Sequence, residues 1–252
     1  HVVHELGRGR GSVPIASGVR ESRLHRLPDG MTPQEAVLLD PAHFALAAVR
    51  DAKVGLGDRV AVFGLGAIGL LIVQMLRLNG VEMIFAVDPL ENRRKLALKF
   101  GADAALDPLA CDAGFEIKKA TDKRGVDTAI DASGSYKALQ AAIRSVHHCG
   151  KVVTCSYYRG DGRDLRLDEE FFLARISIKT SMPVWGNPDR DYPAWDDERL
   201  EDTAYRLMLN KKLNPEGLID PVVPFERAAE EYTLMSSHPE RGVKMGVTFG
   251  RG

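Results

Sequence analysis

The sequence predicts an α/β protein built on a doubly wound parallel sheet. Three observations carry this: short β-rich runs alternate with helical stretches, the first two runs are apolar almost throughout, and a glycine-rich turn joins the first run to its helix. Strand, helix, strand at this spacing requires parallel pairing with right-handed crossovers. A strand without an outward polar face must be covered by helices on both sides.

Residues 1–30 are rich in Gly, Arg and Ser with no sustained period, and read as irregular or edge structure. Thr32-Pro-Gln-Glu35 combines an N-cap, a proline at the first helical position and a glutamate three residues after the cap, so a helix starts there. A second helix is expected over about 41–51. Strands are predicted at 59–63, 83–87, 104–106, 126–130 and 151–155, with helices at 68–78, 91–100, 115–120 and 136–147. A charged loop follows at 161–170, then a β-like run at 176–181 and a boundary in Pro183-Val-Trp-Gly-Asn-Pro188. A charged helix over 196–212, a helix near 226–235 and a strand near 243–249 are expected to form a smaller C-terminal unit. No repeat or low-complexity tract is present.

The bulk numbers exclude several classes. With 34 Lys and Arg against 35 Asp and Glu, the net charge of -1 supplies no field for nucleic acid or an anionic membrane. Hydrophobic residues at 44% and charged residues at 27% describe an ordinary globular chain of one to two domains. The longest apolar stretch, 64–75, is too short to span a bilayer. Cys111, Cys149 and Cys155 are odd in number and form no C-x-x-C pair, which argues against a disulfide framework or a cysteine-rich zinc lobe and for a reducing cytoplasm. Cys155 lies in an apolar run and reads first as a small core residue. The start, His1-Val-Val-His-Glu, has neither an initiator Met nor the parts of a signal peptide, so a fragment is expected.

The strongest motif is Gly64-Leu-Gly66-Ala67-Ile68-Gly69, which ends one strand and opens one helix. The first glycine makes the tight turn, the second lets the backbone approach a pyrophosphate, and the third lets helix and strand pack closely. The diphosphate then rests on the free N–H groups of the helix N-terminus. A glycine turn alone is a weak signal, but Asp88 ends the next strand nineteen residues after Gly69, where a carboxylate can hold an adenosine ribose 2′-OH. The bland alternative is an aspartate capping the following helix. That carboxylate would repel a 2′-phosphate, so it argues for NAD over NADP, while Arg93 and Arg94 argue the other way. FAD enzymes and methyltransferases use similar turns, so the motif does not name its ligand.

Leu27-Pro-Asp-Gly, the run from Gly57 through the glycine turn, and Phe100-Gly-Ala-Asp-Ala, in that order and spacing, resemble the medium-chain, zinc-type alcohol dehydrogenase family, near its threonine and polyol dehydrogenase branches. The resemblance covers about 27–249. It implies a Rossmann cofactor domain at 42–181, with 1–41 and 182–252 as the remainder of a GroES-like catalytic domain. The zinc-ligating Cys and His or Glu of that family lie in a segment this chain does not contain. Zinc is therefore expected in the full-length protein only. Leu39-Asp40-Pro-Ala-His43-Phe-Ala resembles a family segment whose acid can lie at the metal, which makes Asp40, and not His43, the metal candidate; a helix N-cap is its bland alternative. By the same resemblance Arg93 lies near the ribose, Ser133 and Gly134 beside the adenine, Cys155, Tyr157, Thr180, Ser181 and Met182 toward the nicotinamide, and Lys244 toward the pyrophosphate. Family dimers continue the sheet through the last strand, here 175–181, so a homo-oligomer, dimer or tetramer, is expected.

The resemblance implies hydride transfer between a secondary alcohol or polyol and NAD, with zinc polarising the alcohol oxygen in the intact protein. No general base or other catalytic residue can be named from these residues. His147 and His148 are expected near a helix end, where compensating the dipole is the ordinary role. Three alternatives stand beside this: a zinc-free quinone or enone reductase of the same superfamily, a dinucleotide-sensing module without turnover, and a SAM binder.

Overall fold

The protein is described by a computed structural model covering residues 3–5, 24–183 and 195–249. Two short strands, β1 (Val3–Glu5) and β2 (Leu24–Arg26), pair antiparallel within the stretch expected to be irregular. Its turn residues mask three-residue strands too short to show a period. Helix α1 (Pro33–Val37) has the expected capping box: Thr32 Oγ1 accepts from Glu35 N, and Glu35 Oε2 accepts from Thr32 N. Helix α2 (Leu39–Ala52) follows at once and is buried along most of its length.

The main body alternates as expected: β3 (Arg59–Phe63), α3 (Ala67–Leu78), β4 (Met83–Val87), α4 (Glu91–Lys99), β5 (Ala104–Leu106), α5 (Ala113–Ala120), β6 (Val126–Asp131), α6 (Tyr136–Ser145), β7 (Val146–Thr154) and β8 (Ser177–Thr180). All neighbours in this six-stranded sheet pair parallel, in the order β5-β4-β3-β6-β7-β8. The order reverses between β3 and β6, and at such a switch point the loops beyond the strands' carboxyl ends diverge to leave a crevice.

The apolar strands bury both faces. Val60, Val62, Ile84 and Ala86 pack with α2 and α3, while Ala61, Phe63, Phe85 and Val87 pack with α5 and α6. Alternate residues of one strand thus feed two cores, the reason these runs show no polar alternation.

Helix α7 (Asp197–Leu209), capped by Asp196, sends Leu200, Ala204 and Met208 into the same core as α2 and α3. This helix of the C-terminal segment is therefore packed on the main body. Strand β9 (Ile219–Pro224), absent from the sequence expectation, pairs parallel with β10 (Lys244–Thr248), and α8 (Ala228–Ser237) connects them. Two prolines in Ile219-Asp-Pro-Val-Val-Pro224 hide β9 from a pattern search. The expected boundary after Pro183 lies outside the described residues.

His147 and His148 lie two and three residues past the end of α6 but inside β7, because the strand begins at Val146 directly after the helix stops at Ser145. His147 Nε2 lies 3.3 Å from Asp127 Oδ1 at the start of β6, far from the glycine turn at the other end of the sheet.

Candidate dinucleotide site

The three glycines meet three different demands. Gly64 has φ +84°, and a Cβ there would fall 2.7 Å from Ser133 Cα, so only glycine fits. A Cβ on Gly69 would sit 1.9 Å from the carbonyl oxygen of Gly64, so helix and strand touch backbone to backbone. Gly66 differs: nothing lies within 4 Å of where its Cβ would be. It is the N-cap of α3 and has no side-chain cap. The first-turn N–H groups of Ala67, Ile68 and Gly69 lack i-4 carbonyls within the helix. An open approach to helix N–H donors is what a diphosphate requires.

Asp88, 4% exposed, joins the two loops of this half-site. Its Oδ2 accepts from Leu65 N at 2.7 Å, inside the glycine turn, and its Oδ1 accepts from Leu90 N at 2.8 Å. The capping alternative is not realised, since Leu90 is the N-cap of α4 and the helix has no side-chain cap; the Asp88 oxygen instead orders Leu90. Each carboxylate oxygen accepts more than one hydrogen bond, so acceptor capacity remains for a ribose hydroxyl. Arg94 is tied back: Nη1 donates to Asp88 O at 2.7 Å and Nη2 lies 3.2 Å from Asp107 Oδ2. Arg93 turns toward the C-terminal segment, with Nη2 3.4 Å from Gly242 O and a buried Nε that makes no hydrogen bond. Lys244 begins β10 two residues beyond that carbonyl.

Across the switch point, Ser133 is exposed, and its N–H donates to Asp131 Oδ1 at 2.9 Å. Gly134, at φ +70°, passes close to Tyr157 O. The Cys155 thiol is pushed up to about 12 by burial and then by the Asp131 carboxyl beside it, which disfavours the thiolate. Tyr157 is 80% exposed beside the crevice. Thr180 and Met182 are exposed, but the Ser181 hydroxyl is buried and donates to Asp51 Oδ2 on α2 at 2.7 Å. The Ser181 side chain thus ties the sheet end to α2.

Asp131 and Tyr158 were missed. Tyr158 donates its phenol O–H to Asp131 Oδ2. Burial pushes the Asp131 carboxyl above the ordinary range against the pull of its Ser133 and Tyr158 donors, and burial with the neighbouring carboxyl pushes the Tyr158 phenol up. An acid directly after the apolar pair Ala129-Ile130 at the carboxyl end of a strand run, Val126-Asp-Thr-Ala-Ile-Asp131, was the available signal.

The described residues do not by themselves make a zinc site. Asp40 lies exposed in the first turn of α2, with Leu38 as the N-cap, which corrects the capping alternative. Among the described residues no group of three or more His, Cys, Asp or Glu could hold a metal.

The profile of the zinc-binding dehydrogenase family matches residues 67–196. The chain is 39% identical over 238 residues to the D-guloside 3-dehydrogenase of Escherichia coli K12, covering 93% of this chain and 67% of that protein. Among solved structures, the 2R,3R-butanediol dehydrogenase of Bacillus subtilis superposes with TM-score 0.75 at 26% identity, over 93% of this chain and 62% of that one. A zinc-binding dehydrogenase of Sinorhizobium meliloti with NADP bound superposes with TM-score 0.74 at 20% identity, over 92% and 64%, a likeness of fold alone. The chain thus spans about two thirds of the length of the proteins it resembles. With a profile matched across half its length, a relative at 39% identity and the strand order of a Rossmann sheet, the chain belongs to the zinc-binding dehydrogenase family.

Proposed function

We propose that this chain is the cofactor-binding part of a dehydrogenase that moves a hydride between a secondary alcohol or polyol and NAD. The observation that carries the reading is the pairing of an open Gly66 with a buried Asp88 whose Oδ2 orders the same turn. The nicotinamide supplies the hydride acceptor when NAD is bound. This chain's residues supply position: the first turn of α3 receives the diphosphate, and Asp88 receives the ribose and disfavours a 2′-phosphate by charge. With Arg94 occupied by Asp88 O and Asp107, one of the two arginines that argued for NADP is engaged elsewhere.

The alcohol or polyol substrate is supported by the relatives, two of which are named as a D-guloside and a butanediol dehydrogenase. Zinc is proposed for the full-length protein only, where it would polarise the alcohol oxygen; from this chain Asp40 is the one position proposed as a ligand, and the remaining ligands would come from outside it. We place the functional unit as a homo-oligomer in the cytoplasm, which three free cysteines suit. The domain limits at 42–181, flanked by 1–41 and 182–252, are retained in this reading.

Titration of the purified chain with NADH and NADPH, beside Asp88→Ala, tests the assignment. Tighter binding of NADH, with the preference over NADPH narrowed in the variant, is expected. Equal affinity for both cofactors in the unaltered chain would overturn the NAD assignment, and binding of neither would overturn the site.

A further inference from the structure

We propose that Asp131 is a positioning residue for the dinucleotide, whose carboxyl group ties the loop after β6 to the loop after β7 and so fixes the far wall of the glycine turn. The inference rests on the dinucleotide reading above. Asp131 is fully buried at the carboxyl end of β6, beside the switch point. Its two side-chain oxygens serve different loops: Oδ1 accepts from Ser133 N at 2.9 Å and Oδ2 accepts from the Tyr158 hydroxyl. Its main-chain oxygen accepts from Cys155 N at 3.0 Å.

Each tie reaches the crevice. Ala132 N donates to Phe63 O at 2.8 Å, and Ser133 then crosses so close to Gly64 that no Cβ fits between them. Ser133 Oγ accepts from Ser135 N, and Ser135 caps α6. Tyr158 packs its ring 5.2 Å from that of Tyr136, the first residue of α6, and the Tyr136 hydroxyl reaches Gly160 O at 3.5 Å. One carboxyl group is thus the shared acceptor of two loops, the first of which packs against Gly64 of the glycine turn and the second against Gly134.

Stability does not explain it. Burying a carboxyl group is costly, and an apolar side chain of similar volume would fill the site at lower cost. What an apolar residue cannot do is specify the relative position of two loop backbones through directed hydrogen bonds. The groups bearing on Asp131 are Ser133 and Tyr158, with Cys155 and Tyr136 behind Tyr158.

The test is the NADH dissociation constant of the whole chain, read by nicotinamide fluorescence beside the urea unfolding midpoint. Asp131→Leu keeps the branched shape in a larger side chain and removes both acceptors, and weakens NADH binding about tenfold, the scale of one lost hydrogen bond to a charged group. Asp131→Asn retains affinity within about twofold, because its amide oxygen accepts from Ser133 N and its amide N–H donates to the Tyr158 oxygen. Tyr158→Phe, at a half-buried position, weakens binding about threefold with an unfolding midpoint near that of the unaltered chain. Full affinity in Asp131→Leu, or a loss in Asp131→Asn equal to that in Asp131→Leu, overturns the proposal. If Asp131→Leu does not fold, unchanged affinity in Tyr158→Phe overturns it instead. Absence of NADH binding by the unaltered chain overturns the proposed function and this inference with it, whereas normal binding in every variant overturns this inference alone.

Discussion

Glycine has one sequence symbol and three structural meanings in this turn, and substitution separates them. Gly69→Ala drives a methyl against the Gly64 carbonyl, 1.9 Å from its ideal position. Helix and strand must move apart, which costs about 3 kcal/mol, the upper end of overpacking in a rigid interior. Gly66→Ala meets no protein atom within 4 Å and keeps an extended backbone at φ -69°. Its effect on unfolding by urea is about 0.5 kcal/mol or less. The added methyl nevertheless stands where the diphosphate approaches, so NADH affinity falls by about tenfold or more. A Gly66→Ala chain that bound NADH normally would show that the phosphates lie elsewhere. At this scale the motif spacing made the glycines and Asp88 legible in the sequence. Asp131 and Tyr158 were not, because their importance comes from a contact across 27 residues that no local pattern encodes.

At the scale of elements, legibility followed length and covering. The strands of the parallel sheet are short and apolar, and their ends are marked by glycine and polar residues, so their limits came out within a few residues. Strand β7 begins five residues before the expected start, because the His147-His148-Cys-Gly150 segment carries no apolar pattern and interrupts the register with β6 between Val146 and Lys151. Strand β9 hides behind its prolines. Helix α1, by contrast, was announced by its capping box, and the structure adds a partner from elsewhere. Lys211, beyond the end of α7, donates from Nζ to both oxygens of Glu35, at 2.6 and 2.7 Å. Burial pushes the Glu35 carboxyl up, but the Lys211 ammonium and the Thr32 donors together outweigh it, and the net direction is down. A lowered carboxyl value stabilises the fold above its unfolded value near 4.5, and that contribution is lost as pH falls through the lowered folded value. Lys211→Met should therefore cost about 1 kcal/mol at neutral pH, discounted because the lysine is half exposed. The gap from the unaltered chain should close as urea unfolding is followed down to acid, where Glu35 is protonated in both. A gap independent of pH would mean that the lysine stem, and not its charge, holds α1.

The whole molecule ends on one side in an unfinished sheet. Strand β8 is the terminal strand, and among the described residues none pairs along its outer edge. An open edge is a template for another strand, and proteins that keep one exposed either protect it or use it. The surface around β8 favours use, since Ile178 on the strand is 38% exposed and Phe172 and Leu173 just before it are 73% and 69% exposed. Apolar side chains this open beside an unpaired edge fit a second copy of the same strand laid antiparallel across a two-fold axis, which would extend six strands to twelve. Light scattering from the purified chain should then give twice the chain mass. The double substitution Phe172→Glu, Ile178→Glu should give the single mass, because four added charges cannot be buried across the symmetric seam. Both side chains face solvent in the single chain, so the substitution should leave a folded monomer whose far-UV circular dichroism matches that of the unaltered chain. A monomeric unaltered chain would remove the dimer from this edge, and a dimer that survived both glutamates would place the contact on another face.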